Sequence, residues 1–242
     1  MNKPRYEFNE ENHVHTLDGK PLTGCTTVLG VIAKPALISW AANMVARYIE
    51  EHCVSAEKGI DYVVSKEQLE EARKAHTKRK EKAGDWGKEL HAKIEVLIKQ
   101  AMDKGDGYLT EATVDDERIA PFVEWAQANN VKFLASEQNI YSEKMWTGGI
   151  VDIICEIDGK RFLGDLKTSG SGLHPENWWQ MGGYDMMLEE MGEKPADGYV
   201  LLNIKQNGEF IEKRSIDMED HKTAFLDCLE IYRLLEKAKI LL

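Results

Sequence analysis

Apolar positions alternate with polar ones at the start of this chain, recur every three or four residues through its middle, and run together in its second half. The pattern predicts a β-rich opening, a helical stretch and a sheet. The opening "RYEFNEENHVHTLDGKPLTGCTTVLGVI" reads as strand with a turn at Asp18-Gly19. "KPALISWAANMVARYIEEH" reads as helix, with Pro35 suited to its first turn. A second helix opens at Ser65, where Gln68 completes a capping box. A third, over residues 85–102, carries an apolar face of Trp86, Leu90, Ile94, Leu97, Ile98 and Ala101, and Gly105 and Gly107 mark its end. "DERIAPFVEWAQANN" is helical, the sheet begins near "VKFLASEQNIYSE", and "HPENWWQMGGYDMMLEEM" is a further helix. A hairpin turning on Asn207-Gly208 and a helix from about Met218 finish the chain. These elements predict an α/β (α+β) fold with helices flanking a central mixed sheet. Residues 1–64 read as an N-terminal β/α extension and 65–242 as the core, in one unit without a Pro- or Ser-rich linker.

The stretch "GGIVDIICEIDGKRFLGDLKTS", residues 148–169, places charge inside otherwise apolar strands. Asp158-Gly159 suits a two-residue turn with φ > 0 at both central positions. That turn pairs Glu156 with Arg161, Cys155 with Phe162, Ile154 with Leu163 and Ile153 with Gly164, and continued further it sets Asp152 against Asp165. Facing residues in an antiparallel ladder have Cβ atoms roughly 4.5–5.5 Å apart, so two carboxylates there repel unless a cation lies between them. Lys167 shares a face with Asp165, because side chains alternate along a strand. A divalent cation between the aspartates answers this arrangement, and an Asp152–Lys167–Asp165 salt-bridge cluster at an exposed sheet end is the other reading.

Composition narrows the field. The 242 residues are 43% hydrophobic, enough for a substantial core. No apolar run approaches the ~18 residues of a membrane span, and the opening residues lack the apolar segment of a signal peptide, which points to the cytoplasm and to no membrane partner. Cys25, Cys53, Cys155 and Cys228 are scattered without a C-x-x-C pair and read as reduced thiols. A formal net charge of −11 argues against a protein that coats nucleic acid broadly. A local basic run, "RKAHTKRKEK", holds Arg73, Lys78 and Arg79; it is a candidate phosphate contact or a solvated helix face.

Further candidates stand at helical spacing. His91 lies four residues from both Gly87 and Glu95, and Gln180 four from Tyr184, each set on one side of a helix. A histidine beside an apolar stripe can equally be structural. Gly182 and Gly183 signal close packing or close approach of a ligand.

In order, Gly87-x-x-x-His91, Glu137, Gly149-x-Val151-Asp152, Gly164-Asp165-Leu166-Lys167-Thr168-Ser169 and Gln180-x-x-x-Tyr184 resemble the PD-(D/E)XK nuclease superfamily, in its RecB-like, phage-type exonuclease branch. The resemblance spans residues 84 to about 187 and implies a restriction-endonuclease-like core. It implies Mg²⁺ or Mn²⁺ held by His91, Asp152, Asp165 and the Leu166 carbonyl, with Glu137 as an additional carboxylate and Glu95 a weaker candidate. Lys167 would orient or deprotonate the attacking water. Gln180 and Tyr184 would sit near the substrate backbone, with Thr168, Ser169, Arg73, Lys78 and Arg79 as further substrate contacts. The implied activity is metal-dependent hydrolysis of DNA from its ends, serving phage recombination. DNA, a phage single-strand annealing protein and an oligomeric assembly are the implied partners. Relatives with an iron–sulfur cluster hold it through four cysteines in a pattern this sequence lacks, so none is expected. A structure-specific endonuclease, or a catalytically silent DNA-binding protein on the same fold, are the competing readings.

Overall fold

Asp18 and Gly19, with φ of 49° and 75°, and Asp158 and Gly159, with φ of 53° and 73°, close two hairpins with the left-handed pairs their sequence predicts. The computed structural model describes residues 5–57, 61–109 and 116–240. Strands β1 (Tyr6–Asn9), β2 (Val14–Leu17) and β3 (Lys20–Pro21) form a small antiparallel sheet, followed by β4 (Thr23–Gly24) and the single-turn helix α1 (Cys25–Val28). Then come α2 (Ala36–His52), the β5 (Val54–Glu57) and β6 (Asp61–Val63) pair, α3 (Lys66–Asp103) and α4 (Ala120–Ala128). The remainder is β7 (Lys132–Ser142), β8 (Thr147–Ile157), β9 (Lys160–Lys167), α5 (Pro175–Glu190), β10 (Gly198–Ile204), β11 (Phe210–Ser215) and α6 (Met218–Ile240).

The main sheet has six strands in the order β11-β10-β9-β8-β4, with β7 also paired to β8. It is mixed: β9 runs parallel to β10 and β4 parallel to β8, while the other pairs are antiparallel. Helices cover both faces. Val151, Ile154, Leu163, Tyr199 and Leu201 point to one side and are buried with Met181 and Leu188 of α5 and Phe225 and Leu229 of α6. Toward the other side, Phe133 of β7 lies 5.8 Å, ring to ring, from Phe122 of α4, and Trp125 of α4 lies 6.4 Å from Phe210 of β11. This is the α+β architecture that the alternation of patterns predicts.

The chain forms two compact units, one of Met1–Ile32 with Leu90–Leu242 and a smaller one of Ala33–Glu89. This division differs from an extension over residues 1–64 and a core over 65–242. The first residues belong with the main sheet because β4 is one of its strands. The two helices expected at Ser65 and at residues 85–102 are one, α3, of 38 residues. Its capping box forms as expected: Gln68 N–H donates to Ser65 Oγ at 3.2 Å and Ser65 N–H to Gln68 Oε1 at 2.9 Å. Gly84 and Gly87 do not end the helix, since a glycine costs a helix only about 1 kcal/mol relative to alanine and offers no steric stop. Among the described residues, no single helix is long and apolar enough to cross a membrane.

Gly182 and Gly183 serve close packing. A Cβ at Gly182 would lie 2.5 Å from the backbone of His221 on α6, and one at Gly183 2.8 Å from the Phe225 ring. Gly182→Ala is therefore expected to destabilise the protein by about 1–3 kcal/mol, even though alanine is the better helix former. Urea denaturation measures this, and an unchanged midpoint would mean that α6 yields without cost.

Candidate metal centre

Two strands share one flank of β8. Its other flank is taken by β7, which pairs with residues from Thr147 to Glu156. On the shared flank β4 pairs with Thr147 and Gly148, and β9 with Ile153 to Ile157. Gly149, Ile150, Val151 and Asp152 lie between, with no ladder partner on that side among the described residues.

The register of β8 and β9 is the one the Asp158-Gly159 turn predicts, from Ile157/Lys160 to Ile153/Gly164. It ends there, so the facing Asp152/Asp165 pair expected from sequence does not form as a ladder pair. Beyond Gly164, β9 continues alongside β10, with Asp165, Leu166 and Lys167 opposite Leu201, Leu202 and Asn203. Parting the strands spares two carboxylates a directly opposed position. Asp152 then takes the place of the missing backbone acceptor: its Oδ2 accepts the Leu166 N–H at 2.8 Å.

The other flank is distorted at the same level. Ser136 pairs with Ile153 and Gln138 with Val151, which leaves Glu137 beside Asp152 without a ladder pair. Glu137 has φ of 51°, a left-handed conformation that costs a non-glycine residue on the order of 1–2 kcal/mol. Ser136 Oγ donates to the Asp152 carbonyl at 3.2 Å. His91 of α3 completes the group, its Nδ1 3.7 Å from Asp152 Oδ2 and 3.9 Å from Glu137 Oε1. One ligand atom from each of His91, Glu137 and Asp152 lies within 4.8 Å of the others, so the half-buried trio could hold a metal ion.

Behind it lies a hydrogen-bonded cluster. Lys167 Nζ donates to Asp165 Oδ1 at 2.8 Å, and Gln180 Nε2 lies 3.3 Å from the same oxygen and 2.7 Å from the Tyr184 hydroxyl. Gln180 Oε1 lies 3.4 Å from Lys167 Nζ. Asp165 Oδ2 is buried and ion-paired with the Lys167 ammonium at 2.7 Å. Two carboxylates and an imidazole converging beside the buried Asp165 carboxylate fit a hard divalent cation. The trio within 4.8 Å holds Glu137, which the resemblance gave as an additional carboxylate, with His91 and Asp152.

The electrostatics follow from burial. Loss of solvent pushes the Asp165 pKa up to about 6, and Lys167 offsets only part of this. Burial likewise raises Asp152 above the usual carboxylate value, against the pull of His91 and Lys167. Burial works to lower the pKa of Lys167, but Asp165 and Asp152 outweigh it and the net shift is upward. His91 is raised in the same way, burial being outweighed by Glu137, Asp152 and Asp165. Lys167 is thus an ammonium at neutral pH, a donor of hydrogen bonds and positive charge.

Gln180 and Tyr184, which sequence placed near substrate, are buried, with Gln180 hydrogen-bonded both to Asp165 and to the Tyr184 hydroxyl. A Cβ at Gly149 would meet the Tyr184 ring at 2.5 Å, so that glycine makes room for the ring. Ser169 is clamped to Asn203, its N–H donating to Oδ1 at 2.9 Å and its carbonyl accepting from Nδ2 at 3.0 Å; Thr168 beside it is half-buried. Arg73, Lys78 and Arg79 are exposed in the smaller unit; Arg73 pairs with Glu70 at 2.7 Å and Lys78 with Glu71. Glu95 pairs with Lys99 on its own helix. The four cysteines are free thiols. Sequence reasoning missed Ser136 and Asn203, which are ordinary strand residues until their partners are known.

No family model matches this chain, and no curated protein does. Among solved structures, one described as "Crystal structure of SSO0001" aligns over 81% of this chain and 86% of its own, at 15% identity and a TM-score of 0.36. A likeness at that level carries no argument about activity.

Proposed function

We propose that this chain is a metal-dependent deoxyribonuclease of the PD-(D/E)XK superfamily, RecB-like branch, that hydrolyses phosphodiester bonds at DNA ends. One observation carries the reading: His91, Glu137 and Asp152 converge within 4.8 Å where the strands of the main sheet part, and Asp165 and Lys167 follow on the neighbouring strand. A carboxylate-rich set with one imidazole suits Mg²⁺ or Mn²⁺. Such an ion, when bound, supplies polarisation of a phosphoryl oxygen and a lowered pKa for water. The chain's own groups do the rest. Asp152, fixed by the Leu166 N–H, and His91 hold the site's geometry. Lys167 places a positive charge where negative charge grows on the phosphate in the transition state, and its N–H groups can orient an attacking water. Gln180 keeps Asp165 and Lys167 in register with each other. The net charge of −11 restricts DNA contact to a local site rather than a broad surface. A phage single-strand annealing protein is the partner class that fits end processing in recombination.

Labelled linear duplex, closed circular DNA and single strands, each with Mg²⁺, Mn²⁺ or EDTA, test the proposal. The expected result is cleavage of linear substrates with either metal and none in EDTA. Failure to cleave any of them overturns the nuclease reading. Closed circles cut as fast as linear DNA overturn the end-processing part and favour an endonuclease.

A further inference from the structure

A row of aromatic rings lines the N-terminal hairpin. Tyr141 stacks on Tyr6 at 5.0 Å between centroids, Tyr6 lies 6.0 Å from His15, His15 stacks on Phe8 at 4.6 Å, and Phe8 lies 6.0 Å from His13. Tyr6 and His15 are fixed by a hydrogen bond of 2.6 Å between the hydroxyl and Nδ1. Burial lowers the His15 pKa, so its ring is neutral at neutral pH.

Phe8, His13 and His15 form one wall of a cleft of about 580 Å³, with Thr23, Thr27 and Tyr184 among its other linings. No Lys, Arg, Asp or Glu lines it among the described residues. A phosphate-binding cleft would need cationic groups; aromatic faces with hydroxyls suit a neutral, flat heterocycle with polar edges. The cleft also adjoins the candidate metal centre. Its Tyr184 wall is bonded to Gln180, and Gln180 to Asp165. Gly149, another lining residue, precedes Asp152 by three positions on β8, about 10 Å at the rise of a strand.

We propose that this cleft takes a nucleobase of the substrate strand, by stacking on Phe8 with His13 and His15 beside it, and so places the backbone at the metal centre. This rests on the nuclease reading above. The cleft would grip bases of an unpaired strand without reading their sequence, because every base has a π-face.

Binding of a short single-stranded oligonucleotide containing 2-aminopurine, in Ca²⁺ in place of Mg²⁺, tests the inference against an abasic strand of equal length. The variants are Phe8→Ala, His13→Ala and, as a control of size, Phe8→Leu, each checked for an unchanged melting temperature. The expected result is binding of the base-containing strand weakened on the order of tenfold in both Phe8 variants, with the abasic strand bound equally by wild type and variants. Equal binding of the base-containing strand by wild type and Phe8→Leu overturns the inference, and so does an equal loss on the abasic strand. If wild-type protein cleaves DNA but binds both strands alike, only the base cleft is overturned. If it neither binds nor cleaves DNA, the nuclease reading falls with it.

Discussion

Asp165→Asn should lower metal-dependent DNA cleavage by at least about 10²-fold while leaving the protein folded. Asparagine keeps the shape of the side chain and can still meet Gln180, but it removes the negative charge that faces Lys167. The loss belongs in the turnover number, since the change acts where the reaction's charge develops. Cleavage that survives the substitution undiminished would strip Asp165 of any part in the reaction. Stability gives a second readout. The Asp165 pKa is raised to about 6 by burial, so its contribution to stability is fully present below the ordinary carboxylate pKa of about 3.9 and is lost as pH rises through the folded value. Metal-free wild type should therefore lose on the order of 2–3 kcal/mol between about pH 4 and pH 7 through this group. Asp165→Asn should lack that decline and be the more stable protein at neutral pH.

Lys222→Met is expected to cost about 3–5 kcal/mol. Asp185 on α5 is 1% exposed, and Lys222 of α6 lies 3.0 Å from its Oδ2. The Tyr199 hydroxyl and the Ala196 N–H also donate to it, at 3.0 and 3.2 Å. Those neutral donors remain when the ammonium is lost, but a buried carboxylate without its counter-charge is left behind, and the more exposed Glu189, 2.6 Å from Lys222, loses its partner too. Pairing the change with Asp185→Asn should recover most of the loss, because the neutral amide needs no cation. Chemical denaturation of the two single variants and the double variant measures the coupling. Additive effects would show that the pair does not act as a unit.

Local signals were legible where a neighbour in sequence is also the neighbour in space. The Asp158-Gly159 dipeptide determines its turn, and the turn sets the register as far as Ile153/Gly164. The end of that ladder was not legible, because nothing local to Gly164-Asp165 shows that β9 parts from β8 there while staying paired along its other edge to β10, more than thirty residues onward. The spacing of Gln180 and Tyr184 shows that they share a helix side. Which way that side faces is decided by Gly182 and Gly183 meeting α6, a contact that lies outside any local pattern. His91, Asp152 and Lys167 stood out as polar groups in apolar surroundings. Glu137 was harder, since nothing in "ASEQNIY" announces a left-handed residue in mid-strand. Asp185 and Lys222, 37 positions apart, each look like routine helix residues until α5 and α6 are seen side by side.

The two residues of β4 seal part of β8's flank, which makes the amino-terminal stretch a component of the main sheet instead of an ornament. A version of the protein begun after Gly24 would leave Thr147 and Gly148 with bare amide and carbonyl groups along an interior seam. Such a seam is adhesive toward any passing extended peptide, so trimming those 24 residues would bring a tendency to clump.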